Sequence, residues 1–296
     1  MQFNIYSLLQ ALYAVSCVLI TFGALIGKIS PLQMIVLTIV ELVCHGANYK
    51  VLMDGVMKNL DIGGTYIDHM FGCYFGLAAS FMLGPPRKEE KLGYTADLFS
   101  LVGTLFLWIY WPSFVGGAAT PNSPEQQRAI CNTILSLSGS TVGAYIFSSL
   151  LADDKRFRPV DIQNATLAGG VAIGSIADLK IGPFAAVITG VVAGIVSAYG
   201  FKNLTPYFNS IGIHDTCGIN NLHGIPSIIG ALSSVIVQGY KGTQAGVDPS
   251  QWWFQLVAMF LCLGYSVVTG LATGWLLSTM RSIEIEEVTI FHDIYY

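Results

Sequence analysis

Long apolar segments alternate with short polar breaks along almost the whole chain. Nine segments are apolar and long enough to cross a bilayer, since a spanning helix needs roughly 20 mainly apolar residues. They cover residues 6–27, 31–49, 62–83, 97–117, 129–151, 159–178, 181–201, 217–239 and 252–279. The pattern predicts an all-α integral membrane protein with about nine transmembrane helices. Residues 1–280 form the predicted membrane domain, and residues 281–296 a cytoplasmic tail.

The composition supports a protein that is surrounded by lipid. Of the 296 residues, 53% are hydrophobic and 11% are charged, whereas soluble domains typically contain about 25% charged residues. The net charge of −4 comes without a basic patch, which argues against nucleic acid as a partner. The sequence contains no HExxH or GxSxG motif and no CxxC pair, so it predicts no enzyme activity, no cofactor and no metal site.

The basic residues in the predicted loops indicate an orientation, because cytoplasmic loops are enriched in Lys and Arg. With the C-terminus in the cytoplasm, nine basic residues lie inside and five outside. The inside set is Lys28, Arg87, Lys88, Lys91, Lys155, Arg156, Arg158, Lys202 and Arg281, and the outside set is Lys50, Lys58, Arg128, Lys180 and Lys241. An odd number of spans then places the N-terminus outside.

Two polar runs interrupt the apolar segments at corresponding places. DIGGTYIDH at 61–69 and DTCGINNLH at 215–223 both fit Asp-x-x-Gly-x-x-x-x-His. The first opens a span that runs inward and the second a span that runs outward, which predicts an inverted-topology repeat with a site near the midplane. Each His follows its Asp by about 12 Å of helix, against a hydrocarbon half-thickness of about 15 Å. His69 and His223 are therefore expected to meet near the bilayer centre.

Other polar residues in the spans leave alternatives open. Intramembrane polar residues usually face an interior cavity, but a histidine also serves to hydrogen-bond a neighbouring helix. Asp61 and Asp215 either attract a cation or cap helix starts, and we favour capping because Asp suits that position. Glu41, His45 and Asn48 share one helix face, and they either line a vestibule or pair with neighbouring helices.

Several stretches make the chain resemble the Rh glycoprotein branch of the ammonium transporter family. They are GALIGKISPLQ at 23–33, DIGGTYIDHMFGCYFGL at 61–77, DLFSLVGTLFLWIYWPSF at 97–114, DIQNATLAGGVAIG at 161–174 and DTCGINNLHGIPSIIG at 215–230. The similarity runs in order across nearly the whole chain. The stretches at 161–174 and 215–230 are the most specific to the family.

The resemblance implies a trimer of helical bundles with one narrow, hydrophobic pore in each subunit. It implies a twin-histidine site at mid-pore, formed by His69 and His223 and supported by Asp61 and Asp215. The implied cargo is ammonium moved as ammonia, with methylammonium and carbon dioxide as further candidates. The implied setting is a multi-pass protein of the plasma membrane, as a homotrimer or as a hetero-oligomer with Rh-family members.

The aromatic run LWIYWPSF at 107–114 has two interpretations. Aromatic residues near a membrane end commonly anchor the interface, and we expect that role, or helix packing, of Trp108, Tyr110 and Trp111. The resemblance places an aromatic gate at Phe114 and Tyr13. A ring at that position can close a narrow pore or hold a cation over its face.

The chain also departs from the family pattern. Rh members normally have about three more spans before the region that matches residue 1, so part of the pore wall is expected to be missing. Tyr13 stands where a phenylalanine is expected, and Asp68 replaces an apolar residue beside His69. A second hypothesis follows, in which the chain is a non-transporting, truncated Rh-like subunit that assembles with full-length members.

Overall fold

The computed structural model describes residues 4–55, 57–86, 93–245, 248 and 250–280, with side chains for all of these except 241–245. The described residues form helices and connecting turns, which confirms the all-α prediction. The α-helices are α1 Ile5–Leu25, α2 Pro31–Tyr49, α3 Phe71–Leu83, α4 Tyr94–Gly117, α5 Pro124–Leu151, α6 Pro159–Asn164, α7 Ala168–Ile173, α8 Pro183–Tyr199, α9 Thr205–Ser210, α10 Ile225–Ala245 and α11 Gln251–Thr279. The predicted tail at 281–296 and the basic residues Arg87, Lys88 and Lys91 lie outside the described residues.

Wider π-helical turns interrupt this pattern at four places. They follow α2 at Lys50–Asp54 and α8 at Gly200–Leu204, and they precede α3 at Thr65–Met70 and α10 at Asn220–Gly224. Single π-helical turns inside membrane helices often mark functional sites. Two of the four contain the histidines of the repeated motif.

Local capping signals explain where the first helices begin. The Asn4 side chain accepts a hydrogen bond from the Ser7 N–H, and the Ser7 hydroxyl accepts one from the Asn4 N–H. Ser30 and Gln33 form the same reciprocal pair at α2, where Pro31 takes the first helical position. Such pairs satisfy the backbone donors that a helix start leaves free, and proline has no donor to lose there.

Seven helices in the described part of the chain are long and apolar enough to span a membrane, so the prediction of about nine is not confirmed. They are Ile5–Leu25, Pro31–Asp54, Tyr94–Gly117, Pro124–Leu151, Pro183–Ser210, Asn220–Tyr240 and Gln251–Thr279. The expected span 62–83 becomes a π-helical turn followed by the 13-residue α3. The expected span 159–178 is broken into α6, α7 and a short 3₁₀ turn.

The break between α6 and α7 is tolerated because it lies inside the protein. Residues 165–177 are all buried. The Ser140 hydroxyl of α5 donates to the Thr166 carbonyl at 2.6 Å, and the Ser136 hydroxyl donates to the Gly169 carbonyl at 2.8 Å. Irregular backbone at membrane depth is stable only where protein groups or water satisfy it. Apolarity along the sequence does not reveal such a partner, so the sequence predicted one continuous span at 159–178 where the structure has a broken segment.

Small residues let α5 and α8 approach backbone to backbone. A Cβ on Gly190 would collide with the backbone of Ser136, and one on Gly194 would collide with the backbone of Ser140. Close approach through glycine is a main source of helix association in membranes. The α5–α8 pair therefore forms a closely packed wall beside α7.

The outward faces of the helices are apolar. Only 11% of the apolar stretch of α4 is buried, and its exposed side chains include Phe99, Leu105, Phe106 and Ile109. Such a face suits lipid or another apolar surface, because each helix satisfies its own backbone groups.

Candidate functional site

Two histidines from separate elements are in contact inside the bundle. Nδ1 of His69, in the π-helical turn before α3, lies 3.1 Å from Nδ1 of His223, in the π-helical turn before α10. The ring centroids are 5.1 Å apart and the ring planes differ by 17°. His69 is 4% exposed, and His223 is partly buried. The structure thus brings together the two histidines that the sequence motif singles out.

The repeated motif builds the same local structure twice. One carboxylate oxygen of Asp61 accepts the backbone N–H groups of Tyr66 and Ile67, at 2.8 and 3.0 Å. The two oxygens of Asp215 accept those of Ile219 and Asn220, each at 2.9 Å. Each aspartate therefore closes the start of the helical segment that carries the histidine, which is the capping role favoured from the sequence.

The glycine of each motif is needed for its backbone conformation. Gly64 has φ of 71° and Gly218 has φ of 76°, a left-handed conformation that is unfavourable for other residues. A Cβ at Gly64 would also meet the carboxylate of Asp68, and one at Gly218 would meet the ring of Phe201. In the spacing Asp-x-x-Gly-x-x-x-x-His, the aspartate therefore bonds the first N–H groups of the helical segment, and the glycine adopts the left-handed conformation before it. The histidine lies within the segment that follows.

Aromatic side chains cover His69 on one side. Trp111 stacks on its ring with centroids 5.6 Å apart, and Phe114 lies at 6.3 Å. Tyr13 meets Phe114 edge-on at 4.7 Å, and its hydroxyl donates to the Phe114 carbonyl at 2.8 Å. The structure thus brings the two predicted gate residues together.

Trp111 is the residue that sequence reasoning missed. The sequence suggested an interface anchor or helix packing, but Trp111 is 7% exposed and stacks on His69. The available signal was its spacing, because Trp111 and Phe114 are three residues apart and so share a helix face.

A cavity of about 260 Å³ lies next to the Tyr13–Phe114 contact, and both residues line it. Its acidic lining residues are Asp61, Asp68 and Asp178, and none of the described Lys or Arg residues lines it. His69 and Trp111 are not part of its wall. The aromatic contact therefore stands between an acidic cavity and the histidine pair.

Several buried polar atoms along this route have no protein partner. They include Nε2 of His69, Nε1 of Trp111, Oδ1 of Asp61 and both polar side-chain atoms of Asn59. Buried polar atoms are normally paired. Small molecules that donate and accept hydrogen bonds are the guests that such atoms suit.

The polar face of α2 pairs with neighbouring segments. Glu41 accepts a hydrogen bond from the Thr21 hydroxyl at 2.6 Å, and Asn48 is buried. His45 Nε2 lies 3.1 Å from Asp68 Oδ1. These contacts favour the helix-pairing interpretation for this face, although Asp68 itself lines the cavity. No group of three or more His, Cys, Asp or Glu residues is placed to hold a metal within the described ranges.

Comparison with known proteins identifies the family. The profile described as "Ammonium Transporter Family" matches residues 3–293. The chain is 41% identical over 282 residues to mouse ammonium transporter Rh type A, covering 93% of this chain and 63% of that protein. It is 37% identical to Xenopus laevis ammonium transporter Rh type B-A, covering 99% and 68%. These relatives are named as transporters, which fits the prediction that the chain is not an enzyme.

A solved structure gives the same result. The structure of Nitrosomonas europaea Rh50, described as belonging to the Rhesus protein family of channels, superposes with a TM-score of 0.83 at 31% identity, covering 92% of this chain and 70% of that one. The chain spans 63% and 64% of the length of the mouse and cattle Rh type A proteins. With the profile match and the Rh-type relatives, these results show that the chain belongs to the ammonium transporter family, in its Rh branch.

Proposed function

We propose that the protein conducts ammonium across the membrane as ammonia, through a passage that contains His69 and His223. The contact between these two rings, at 3.1 Å, is the observation that carries the proposal. Transferring an ion through hydrocarbon costs at least a few kcal/mol per charge. A narrow, apolar passage therefore favours ammonia over ammonium.

The two imidazoles suit a neutral guest that both donates and accepts hydrogen bonds. When both rings are neutral, one Nδ1 donates and the other accepts. The donating ring then has an acceptor at Nε2, and the accepting ring has a donor at Nε2. Nε2 of His69 has no protein partner, so it is open to such a guest. The pair thus offers ammonia a line of hydrogen-bonding nitrogens, and two positive charges on it are disfavoured by burial and repulsion.

The acidic cavity serves, in this proposal, as the outer vestibule. Its three carboxylates attract cations, and the Tyr13–Phe114 pair is the gate below it. The hydrogen bond from the Tyr13 hydroxyl to the Phe114 carbonyl holds the gate closed in this conformation. Passage then requires at least one of these rings to move.

The orientation can be tested at the two ends of α5. The loop charges place Arg156 in the cytoplasm and Glu125 outside, and both side chains are exposed. In a background without reactive native thiols, Glu125→Cys in intact cells is expected to react with an impermeant thiol reagent and Arg156→Cys is not. The reverse labelling would overturn the orientation and, with it, the outer position of the vestibule.

The assembly and the range of cargo belong to the same proposal. The apolar outer faces of the helices support association of subunits within a lipid bilayer, and the family supports a homotrimer in the plasma membrane. Methylammonium is a suitable tracer because it keeps the ammonium head group. Conduction of carbon dioxide and assembly as a non-transporting Rh-like subunit remain predictions from the resemblance.

Uptake measurements test the proposal directly. His69→Ala and His223→Ala, expressed in yeast that cannot take up ammonium, are expected to alter methylammonium uptake sharply while membrane abundance stays the same. A control is Leu105→Ala, because this side chain is exposed on the outer face of α4. Uptake that is unchanged in both single variants would remove His69 and His223 from the mechanism.

A further inference from the structure

A second buried histidine contact borders the vestibule, because one of its two residues, Asp68, lines the cavity. His45, from α2, and Asp68, from the π-helical turn before α3, are 3.1 Å apart between Nε2 and Oδ1. Their residues are 5% and 1% exposed. Asp68 lines the vestibule beside Asn59 and Asp61, two residues with buried polar atoms that have no protein partner.

Stability alone is a poor explanation for such a pair. A buried ion pair often adds nothing over apolar side chains of similar size, because removing both charges from water is costly. A hydrogen bond between two neutral side chains would tie α2 to this turn equally well. The particular property of an aspartate–histidine pair is that each side chain has a site that can bind a proton, which an amide or hydroxyl pair lacks.

The position matters as much as the chemistry. The histidine pair lies behind the aromatic gate, since Phe114 is 6.3 Å from His69 and also lines the vestibule. If only ammonia passes the gate, the proton has to be removed on the vestibule side. Asp68 is on that side, one residue before His69 along the chain.

We propose that Asp68 and His45 together accept the proton that ammonium releases in the vestibule. This inference rests on the proposed function. One N–H bond of ammonium breaks and its electron pair stays on nitrogen, giving ammonia. The proton forms an O–H bond on Asp68 or an N–H bond on His45, so the pair changes from a net charge of −1 to zero. The proton then leaves through the vestibule to the outer water, which resets the pair.

The surroundings favour this change of charge. A buried net negative charge is costly, and neutralising it removes that cost. The titratable groups that interact electrostatically with Asp68, or that share the buried face of α2, are Tyr13, Cys17, Glu41, Tyr49, Asp61 and Cys262. His69 is the next residue in the same buried turn. The carboxylate of Asp61 adds to the negative potential at Asp68, and no Lys or Arg is among the residues described in the vestibule wall.

The experiment uses the protein in liposomes with methylammonium as the probe, from about pH 5 to pH 8 outside. The double variant Asp68→Asn with His45→Gln keeps hydrogen-bonding groups but cannot take up a proton. General bases usually contribute about 10²- to 10⁴-fold, and water in the vestibule can replace part of this effect. We therefore expect uptake at neutral pH to fall at least tenfold, with a flatter pH profile than that of the unmodified protein.

Two single variants separate proton acceptance from structural effects. Asp68→Glu keeps the carboxylate and is expected to retain most uptake and its pH profile. Glu41→Gln removes a buried carboxylate of α2 that is bonded to Thr21 and does not line the vestibule, so its pH profile is expected to be unchanged. If the double variant does not fold, as judged by size-exclusion elution, Asp68→Asn alone is measured. Its amide oxygen can still bond His45, but a proton on His45 would then be an uncompensated buried charge, so the same loss of uptake is expected.

The outcomes distinguish this inference from the proposed function. If the double variant, or Asp68→Asn where the double variant does not fold, has the uptake and pH profile of the unmodified protein, the proposal that Asp68 and His45 accept the proton is overturned. The proposal that the protein conducts ammonia then stands. If the unmodified protein shows no uptake above protein-free liposomes, both are overturned.

Discussion

The two helix-start aspartates are expected to respond differently to the same substitution. Asp215 uses both carboxylate oxygens, one for each backbone N–H, whereas Asp61 uses a single oxygen for both. Replacement of aspartate by asparagine turns one oxygen into an NH₂ donor. At position 61 the remaining oxygen can keep both bonds, and the NH₂ group takes the place of Oδ1, which has no protein partner. At position 215 the NH₂ group has to face a backbone donor.

The size of the difference follows from the bonds that are lost. Both variants lose the extra strength that a charge gives to a hydrogen bond. Only Asp215→Asn also leaves a buried N–H without an acceptor, which costs about 1–3 kcal/mol. For chains of this size about 1 kcal/mol shifts the melting temperature by roughly 2–4 °C. Asp215→Asn is therefore expected to melt about 2–12 °C below Asp61→Asn.

Thermal unfolding in detergent measures this difference through the fluorescence of the five tryptophans. Asp61→Ala and Asp215→Ala serve as the control pair. Alanine removes every acceptor at either position, so these two variants are expected to lose similar stability. The two asparagine variants are expected to differ in melting temperature and the two alanine variants are not. That result would show that the difference comes from how many carboxylate oxygens each aspartate uses, and not from other differences between the two sites.

Equal melting temperatures for the two asparagine variants, or a lower one for Asp61→Asn, would refute this account of the caps. Methylammonium uptake by the same variants then separates the two roles considered for Asp61. We expect Asp61→Asn to keep most uptake, because its main role is to cap. If Asp61→Asn is stable but shows no uptake, the main role of the Asp61 carboxylate is instead to attract the cation.

Two other variants test the gate and the packing. Tyr13→Phe removes the hydrogen bond to the Phe114 carbonyl but keeps the ring, so faster methylammonium uptake is expected in liposomes, and slower uptake would contradict the gate. Gly190→Leu is expected to lower stability by about 1–3 kcal/mol or more through overpacking against α5, whereas Gly103→Leu, where a Cβ meets nothing within 4 Å, is expected to leave the melting temperature unchanged.

The sequence allowed the family and the contact at the centre to be predicted, because both depend on residues that stand out from an apolar background. The Asp–Gly–His spacing appears twice, and the two histidines that it led us to expect together lie 3.1 Å apart. Their role in conduction stays a prediction. A single copy of a motif with three fixed positions is too short to predict that two histidines are in contact. The second copy, in the opposite membrane orientation, is what predicts the contact.

Other features depend on partners that are distant in sequence. The hydroxyls of Ser136 and Ser140 bond carbonyls about 30 residues away at the α6–α7 break, and hydropathy does not show such bonds. Trp111 stacks on a histidine of another segment. The spacing on α2 put His45 on a polar face, but its pairing with Asp68 is visible only once α2 and the turn before α3 are packed.

The broken segment between α5 and α8 has a consequence for how the protein enters the membrane. Alone in lipid, α6 and α7 are too short to span it, and the carbonyls of Thr166 and Gly169 would lack the serine hydroxyls that bond them. The serines lie on α5, and α5 packs backbone to backbone against α8 at Gly190 and Gly194. We therefore expect residues 124–199 to leave the translocon as one unit, with α5 held nearby until α8 has emerged. A ribosome-bound chain that ends after α7 is expected to remain cross-linkable to the translocon, and release of that chain into lipid would contradict this order of insertion. Membrane insertion of this protein is then a step of tertiary folding, in which the packing of α5 with the broken segment and with α8 decides when that segment can leave.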